Sequence, residues 1–195
     1  MNKVLIALSM LMVAASSMAA EPRGAVDSTR ESVNELLATV QELKPYYQSD
    51  KERYFAGIEK SLSSFVDFDA VATGVMARYS EQASPEQISR FGEKLRSTLT
   101  RFYGAALTGY DGQELEFMPG NVDESDGTAV VRMRIATNNN TVDLQYALFL
   151  NEAGDWKLRN LLLSGINLRR QYYTQFSALM NRYGNDIDQV IDNWQ

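Results

Sequence analysis

The sequence predicts an α+β fold in which a curved antiparallel sheet of about four strands is wrapped by helices. Three observations carry this. Apolar residues recur at spacings of three and four from Ser28 to Gly109, the helical period. From Gly112 to Ser164 they alternate with polar residues, the period of half-buried strands. After Asn167 the helical spacing returns.

The chain opens with Lys3, an apolar run from Val4 to Ala15, and small residues up to Ala19 and Ala20. This is the layout of a secretory signal peptide, and its apolar run is shorter than the roughly 20 residues a bilayer span needs. The expected division is a signal peptide at 1–19 and a single domain at 20–195, with cleavage before Ala20 or just after it. No Cys stands there to carry a lipid anchor. An exported chain with no Cys suits a bacterial periplasm, where it needs no disulfide machinery.

The first mature helix is expected from Ser28-Thr29-Arg30-Glu31, a capping-box pattern followed by Val33, Leu36, Leu37, Val40 and Leu43. Pro45 interrupts it, and Ser49-x-x-Glu52 offers a second box before the stripe Tyr54, Ile58, Leu62, Phe65. Asp67 is placed to cap a short helix carrying Phe68, Val71, Val75 and Met76. Ser84-Pro85-Glu86-Gln87 combines a capping hydroxyl, a proline at the first helical position and a Gln that closes the box. It opens a long amphipathic helix through Ile88, Phe91, Leu95, Leu99, Phe102 and Ala106.

Leu115 and Phe117 begin the strands. Asp126-Gly127 marks a turn, and Asp123, Glu124 and Asp126 read as part of it, because the 12-residue calcium-loop pattern is missing. Val131, Met133 and Ile135 then share a face opposite Arg132 and Arg134. After a turn at Asn138 to Asn140, Val142, Leu144, Tyr146 and Leu148 alternate in the same way. The last strand, Trp156 to Ser164, holds three successive leucines at 161–163, which cannot all face one side, so both faces are expected to be covered. Asn167 caps a helix bearing Leu168, Tyr172, Phe176 and Leu179, and a short terminal helix carries Ile187, Val190, Ile191 and Trp194.

Composition narrows the chemistry. The 195 residues contain no His and no Cys, which removes thiol nucleophiles, His-based triads and Cys- or His-ligated zinc. Nineteen basic against 25 acidic residues give a net charge of −6, a field that repels nucleic acid. Removing Lys3 with the signal peptide leaves 18 against 25, or −7. No glycine-rich phosphate loop occurs. An Asp beside a Tyr in a closed pocket would make an envelope enzyme of the steroid-isomerase or hydrolase type, but the acids fall mostly in caps, turns and outer helix faces. Arg169-Arg170 stands out, because cations in the first turn of a helix oppose its dipole. It reads either as a contact for an anionic headgroup or acidic partner, or as solvated side chains. The apolar strand faces, with Phe102, Tyr103 and Leu107, read as either a core or a pocket wall.

Two stretches resemble the MlaC family, periplasmic phospholipid carriers also described as toluene-tolerance proteins. One runs from Val66-Asp67-Phe68-Asp69 through Ser84-Pro85-Glu86-Gln87 to Phe91 and Leu99–Leu107. The other joins Tyr146 and Leu148 to Gly154-Asp155-Trp156-Lys157-Leu158, Gly165-Ile166-Asn167-Leu168, and Tyr172 with Gln175-Phe176. The chain departs from the family pattern at Asn160, where Asp is common, at Asn167, where Ser is common, and at Tyr173, where Arg is usual.

The resemblance implies a cone related to the nuclear-transport-factor-like fold, with acyl chains inside and the headgroup at its mouth. It implies a phospholipid ligand, no cofactor or metal, no catalysis and no stable membrane insertion. Its partners would be an outer-membrane lipoprotein–porin complex and an inner-membrane ABC transporter complex with an MCE-domain protein, met by a monomeric periplasmic shuttle that maintains outer-membrane lipid asymmetry. The expected lipid-facing residues are Val75, Phe102, Tyr103, Leu107, Met133, Ile135, Leu144, Tyr146, Leu148, Leu163 and Ile166. Arg169 and Arg170 are the expected headgroup or partner contacts. Two acyl chains offer about 30 methylenes at roughly 0.8 kcal/mol each, so a soluble carrier must enclose them. The pocket should lie near the upper end of the usual range of about 300 to 1,000 Å³. A filled interior would instead indicate a non-lipid periplasmic interaction module.

Overall fold

The structure, a computed structural model, describes residues 23–118, 122–136 and 141–195. The expected signal peptide, its cleavage site and the turn at Asn138–Asn140 lie outside the described residues. Helices α1 (Ala25–Leu43), α2 (Tyr46–Ser49), α3 (Lys51–Phe65), α4 (Phe68–Met76) and α5 (Pro85–Leu107) precede the sheet. Strands β1 (Leu115–Phe117), β2 (Thr128–Ala136), β3 (Thr141–Leu150), β4 (Trp156–Leu163) and β5 (Ile166–Asn167) follow, and α6 (Leu168–Arg182) and α7 (Ile187–Asp192) close the chain.

Side-chain caps account for most helix starts. Asp67 accepts the Ala70 N–H at 2.8 Å, Asn167 accepts the Arg170 N–H at 3.1 Å, and Ser84 and Gln87 form the reciprocal box. Two starts differ from the sequence reading. Helix α1 begins at Ala25 rather than after Ser28, whose N–H already donates to the Gly24 carbonyl at 3.0 Å. The anion at this N-terminus comes from far along the chain: Glu124 accepts the Ala25 N–H at 2.8 Å, a favourable place for a carboxylate. Helix α3 is capped by Asp50, which accepts from Arg53 N at 3.0 Å, while Ser49 ends α2. Asp caps as well as Ser does.

The strands pair consecutively in the order β1-β2-β3-β4-β5, all antiparallel. Met133, Leu144 and Leu163 lie side by side across β2, β3 and β4, as do Val131, Tyr146 and Leu161. The register then shifts, because Ala147 faces Asn160 while Leu148 faces Leu158. Arg159 is the extra residue of this bulge. The bulge turns Leu158 and Trp156 to the inner face with Leu161 and Leu163, whereas Leu162 is half-buried on the other face opposite Gln145. The fifth, two-residue strand arises because Ser164 and Gly165 both take positive φ (48° and 82°), the requirement of a tight hairpin turn.

Three apolar clusters hold the helices and sheet. Phe91, Phe176 and Trp194 join α5, α6 and the segment after α7, with ring centroids 5.0 Å and 4.9 Å from Phe91. Val40, Leu43, Tyr54 and Ile58 join α1 to α3, and Tyr54 donates to the Gly104 carbonyl of α5 at 2.8 Å. Val33 and Phe65 pack with the inner face of the sheet.

One junction is strained. Ala77, at the end of α4, sits at φ 49° and ψ −120°, a region that disfavours any Cβ and costs on the order of 1–3 kcal/mol. Ala77→Gly loses some unfolded-state restriction but relieves that strain, so a net gain of about 1 kcal/mol is expected. It should read as a rise of about 2–4 °C in thermal melting; an unchanged or lower midpoint would contradict the strain.

Candidate functional site

The helices do not fill the concave face of the sheet. Between them lies a cavity of about 460 Å³. Its walls come from α1 (Val33, Leu36, Leu37), α3 (Leu62, Phe65), α4 (Val71, Val75), α5 (Leu99, Tyr103, Leu107), β2 (Met133, Ile135), β3 (Val142, Leu144, Tyr146), β4 (Leu158, Leu161, Leu163) and α6 (Leu168, Tyr172). Each element faces inward for a local reason: the three-and-four spacing of the helical residues, the period of two in β2 and β3, and the bulge in β4.

The polar atoms of this wall are few and uncharged away from the rim. No Asp or Glu is among the lining residues. Burial pushes the Tyr146 hydroxyl well above its ordinary range. Burial raises the hydroxyls of Tyr103 on α5 and Tyr172 on α6, and the neighbouring Tyr103 raises Tyr172 further. All three therefore stay neutral at any physiological pH. Ser61 Oγ of α3 is buried without a partner. Among the described residues no cluster of three or more His, Cys, Asp or Glu could hold a metal. A carboxylate–tyrosine pair has no carboxylate to use here. What these walls can do chemically is exclude water.

The unfilled apolar walls forgo packing contacts that an apolar occupant would supply. The volume lies below the upper end of the range that the sequence reading anticipated.

The structure brings Val75, Tyr103, Leu107, Met133, Ile135, Leu144, Tyr146 and Leu163 together around this cavity. Three expected lining residues are elsewhere. Phe102 is 67% exposed and edge-on to Tyr103, because consecutive helical residues point about 100° apart. Leu148 is fully buried between Ala129 and Leu158 in filled core. Ile166 pairs with Leu163 but is 57% exposed on the outermost strand. Arg169 reaches the cavity rim; Arg170, also expected there, is exposed and does not line it.

Sequence reasoning missed the contributions of α1, α3 and most of β4, including Arg159 and Asn160 at the rim. Their stripes were visible as buried faces, but nothing in a stripe distinguishes cavity from core. The Asn160 departure has a structural role: its Oδ1 accepts the Arg169 N–H at 3.1 Å, so Asn160 and Asn167 together satisfy two N–H groups in the first turn of α6.

Comparison with known proteins agrees with this architecture. Residues 30–195 match the family described as MlaC protein. The toluene tolerance protein ttg2D of Pseudomonas putida is 35% identical over 193 residues, covering 98% of this chain and 86% of that protein. The crystal structure of a phospholipid-binding protein from Ralstonia solanacearum, in complex with a phospholipid, superposes with a TM-score of 0.78. It is 24% identical, with 87% of this chain and 94% of that one covered, and it establishes the fold. On the family match and the long alignment to its relative, the chain belongs to the MlaC family.

Proposed function

We propose that this protein is a periplasmic carrier that encloses phospholipid acyl chains in its apolar cavity and shuttles phospholipid between the outer and inner membranes, maintaining outer-membrane lipid asymmetry. The observation that carries the reading is the 460 Å³ cavity between helices and sheet, apolar and without charge away from its rim. Membership of the family supports it, as does a structural neighbour that holds a phospholipid. The role is binding rather than catalysis, and it needs no cofactor. A bilayer and an apolar pocket hydrate acyl chains equally poorly, so exchange between them is nearly balanced. Direction then comes from the partners, an outer-membrane lipoprotein–porin complex and an inner-membrane MCE-domain/ABC transporter complex. The signal peptide would deliver the domain at 20–195 to the periplasm. Among the described residues no helix is long and apolar enough to cross a membrane.

Native mass spectrometry of the protein purified from the periplasm without detergent tests this. Phospholipid is expected to co-purify, and the ligand's mass also reports how many chains it carries. Protein that emerges empty and fails to take up lipid from vesicles would refute the carrier.

A further inference from the structure

Two arginines line the cavity from different elements. Arg159 is the bulge residue of β4 and Arg169 lies in the first turn of α6; both line the cavity and both are exposed. The hydrogen bond from Arg169 N–H to Asn160 Oδ1 ties the first turn of α6 to the side chain next to Arg159. Neither Arg159 nor Arg169 forms an ion pair with a carboxylate, a condition they share with ten other described Lys and Arg residues. This occurs in a chain whose acids outnumber its bases by six.

Their surroundings keep that charge unneutralised. Both caps of α6, Asn160 and Asn167, are neutral amides, although cations in this turn oppose the helix dipole and a carboxylate cap would offset them. Gly74 of α4 gives Arg169 its place: a Cβ there would come within 2.8 Å of Arg169 Cδ. A glycine inside a helix costs roughly 1 kcal/mol, and here its bareness lets the arginine stem lie against α4.

We propose that Arg159 and Arg169 form a phosphate-ester subsite at the mouth of the cavity, which favours ligands with a net anionic headgroup. This rests on the carrier reading and specifies the ligand class. Two guanidiniums supply forked donors matched to phosphate oxygens. A zwitterionic headgroup brings its own cation close to the arginines, and an anionic one does not.

The test loads lipid-stripped protein from vesicles of equimolar phosphatidylglycerol and phosphatidylcholine and reads bound species and total occupancy by native mass spectrometry. Wild type should favour phosphatidylglycerol about fivefold, the scale of two partly solvated ion pairs. Arg159→Gln/Arg169→Gln should take up the two lipids in the vesicle ratio. Asn160→Asp keeps the cap but places a carboxylate beside Arg169, and should lower the preference. Arg170→Gln, outside the cavity, should keep it.

A double variant that retains the preference, or an Arg170→Gln that loses as much, overturns the subsite. Calorimetry with glycerol phosphate distinguishes a free phosphate ester from a lipid headgroup. Weak binding is expected, and binding as tight as that of the lipid would assign the arginines to a soluble ester and overturn the headgroup role. No lipid uptake by any variant would instead refute the carrier, and equal uptake of both lipids by wild type would refute only the subsite.

Discussion

Leu144→Asp is expected to yield a folded protein that no longer retains phospholipid. Leu144 sits in the middle of the cavity wall, between Met133 on β2 and Leu163 on β4, and is 9% exposed. An unpaired carboxylate against acyl chains costs several kcal/mol or forces protonation. In the empty state water can enter the cavity and solvate it, so only a modest loss of melting temperature should accompany the loss of lipid. Two neighbours on the same strand make the result specific. Leu148→Asp, in filled core where no water can reach, should unfold the domain. Gln145→Asp points to the other face opposite Arg132, where a carboxylate is favourable, and should change neither property. Circular dichroism melting and lipid content by mass spectrometry read all three. A Leu144→Asp protein that carries lipid normally would show that this face is not the binding wall.

Phe176→Ala should produce a large loss of stability in a domain that still folds. Phe176 is fully buried in α6, with ring centroids 5.0 Å from Phe91, 5.8 Å from Tyr79 and 6.3 Å from Trp194. Removing such a ring typically costs about 3–5 kcal/mol, because the close-packed surroundings relax only partly. Phe176 itself does not line the cavity, although its cluster shares Val75 with the wall, so the fraction that remains folded should still contain lipid. Urea denaturation measures the change; a loss below about 1 kcal/mol would mean the cluster repacks freely.

Local signals explain how much of this architecture was legible. The Ser84–Gln87 box, the Asp67 and Asn167 caps and the alternation in β2 and β3 were readable because each depends on residues within one or two turns of chain. The errors came from contacts distant in sequence. Glu124, 99 positions from Ala25, supplies the anion at the start of α1, and the first turn it supports lies ahead of the capping box that Ser28 suggested. The period-two pattern on its own puts Leu144, Tyr146 and Leu148 on one face, and they do share it; only packing makes the first two cavity and the third core.

By itself the sequence determined the order of the main helices and of the four longer strands, the α+β class, the exclusion of His and Cys chemistry, and the family to which the chain belongs. These follow from side-chain type and short-range spacing, which the chain carries whatever its tertiary arrangement. Tertiary structure alone decided which apolar residues stand back from one another. The bulge at Arg159 re-aims β4, the curved sheet holds β2 and β3 away from α5, and the resulting volume is not a property of any one element. An apolar residue buried against a neighbour and one that lines a cavity obey the same local preference for leaving water. What separates them is the distance to the opposite wall, which no single stretch of chain encodes.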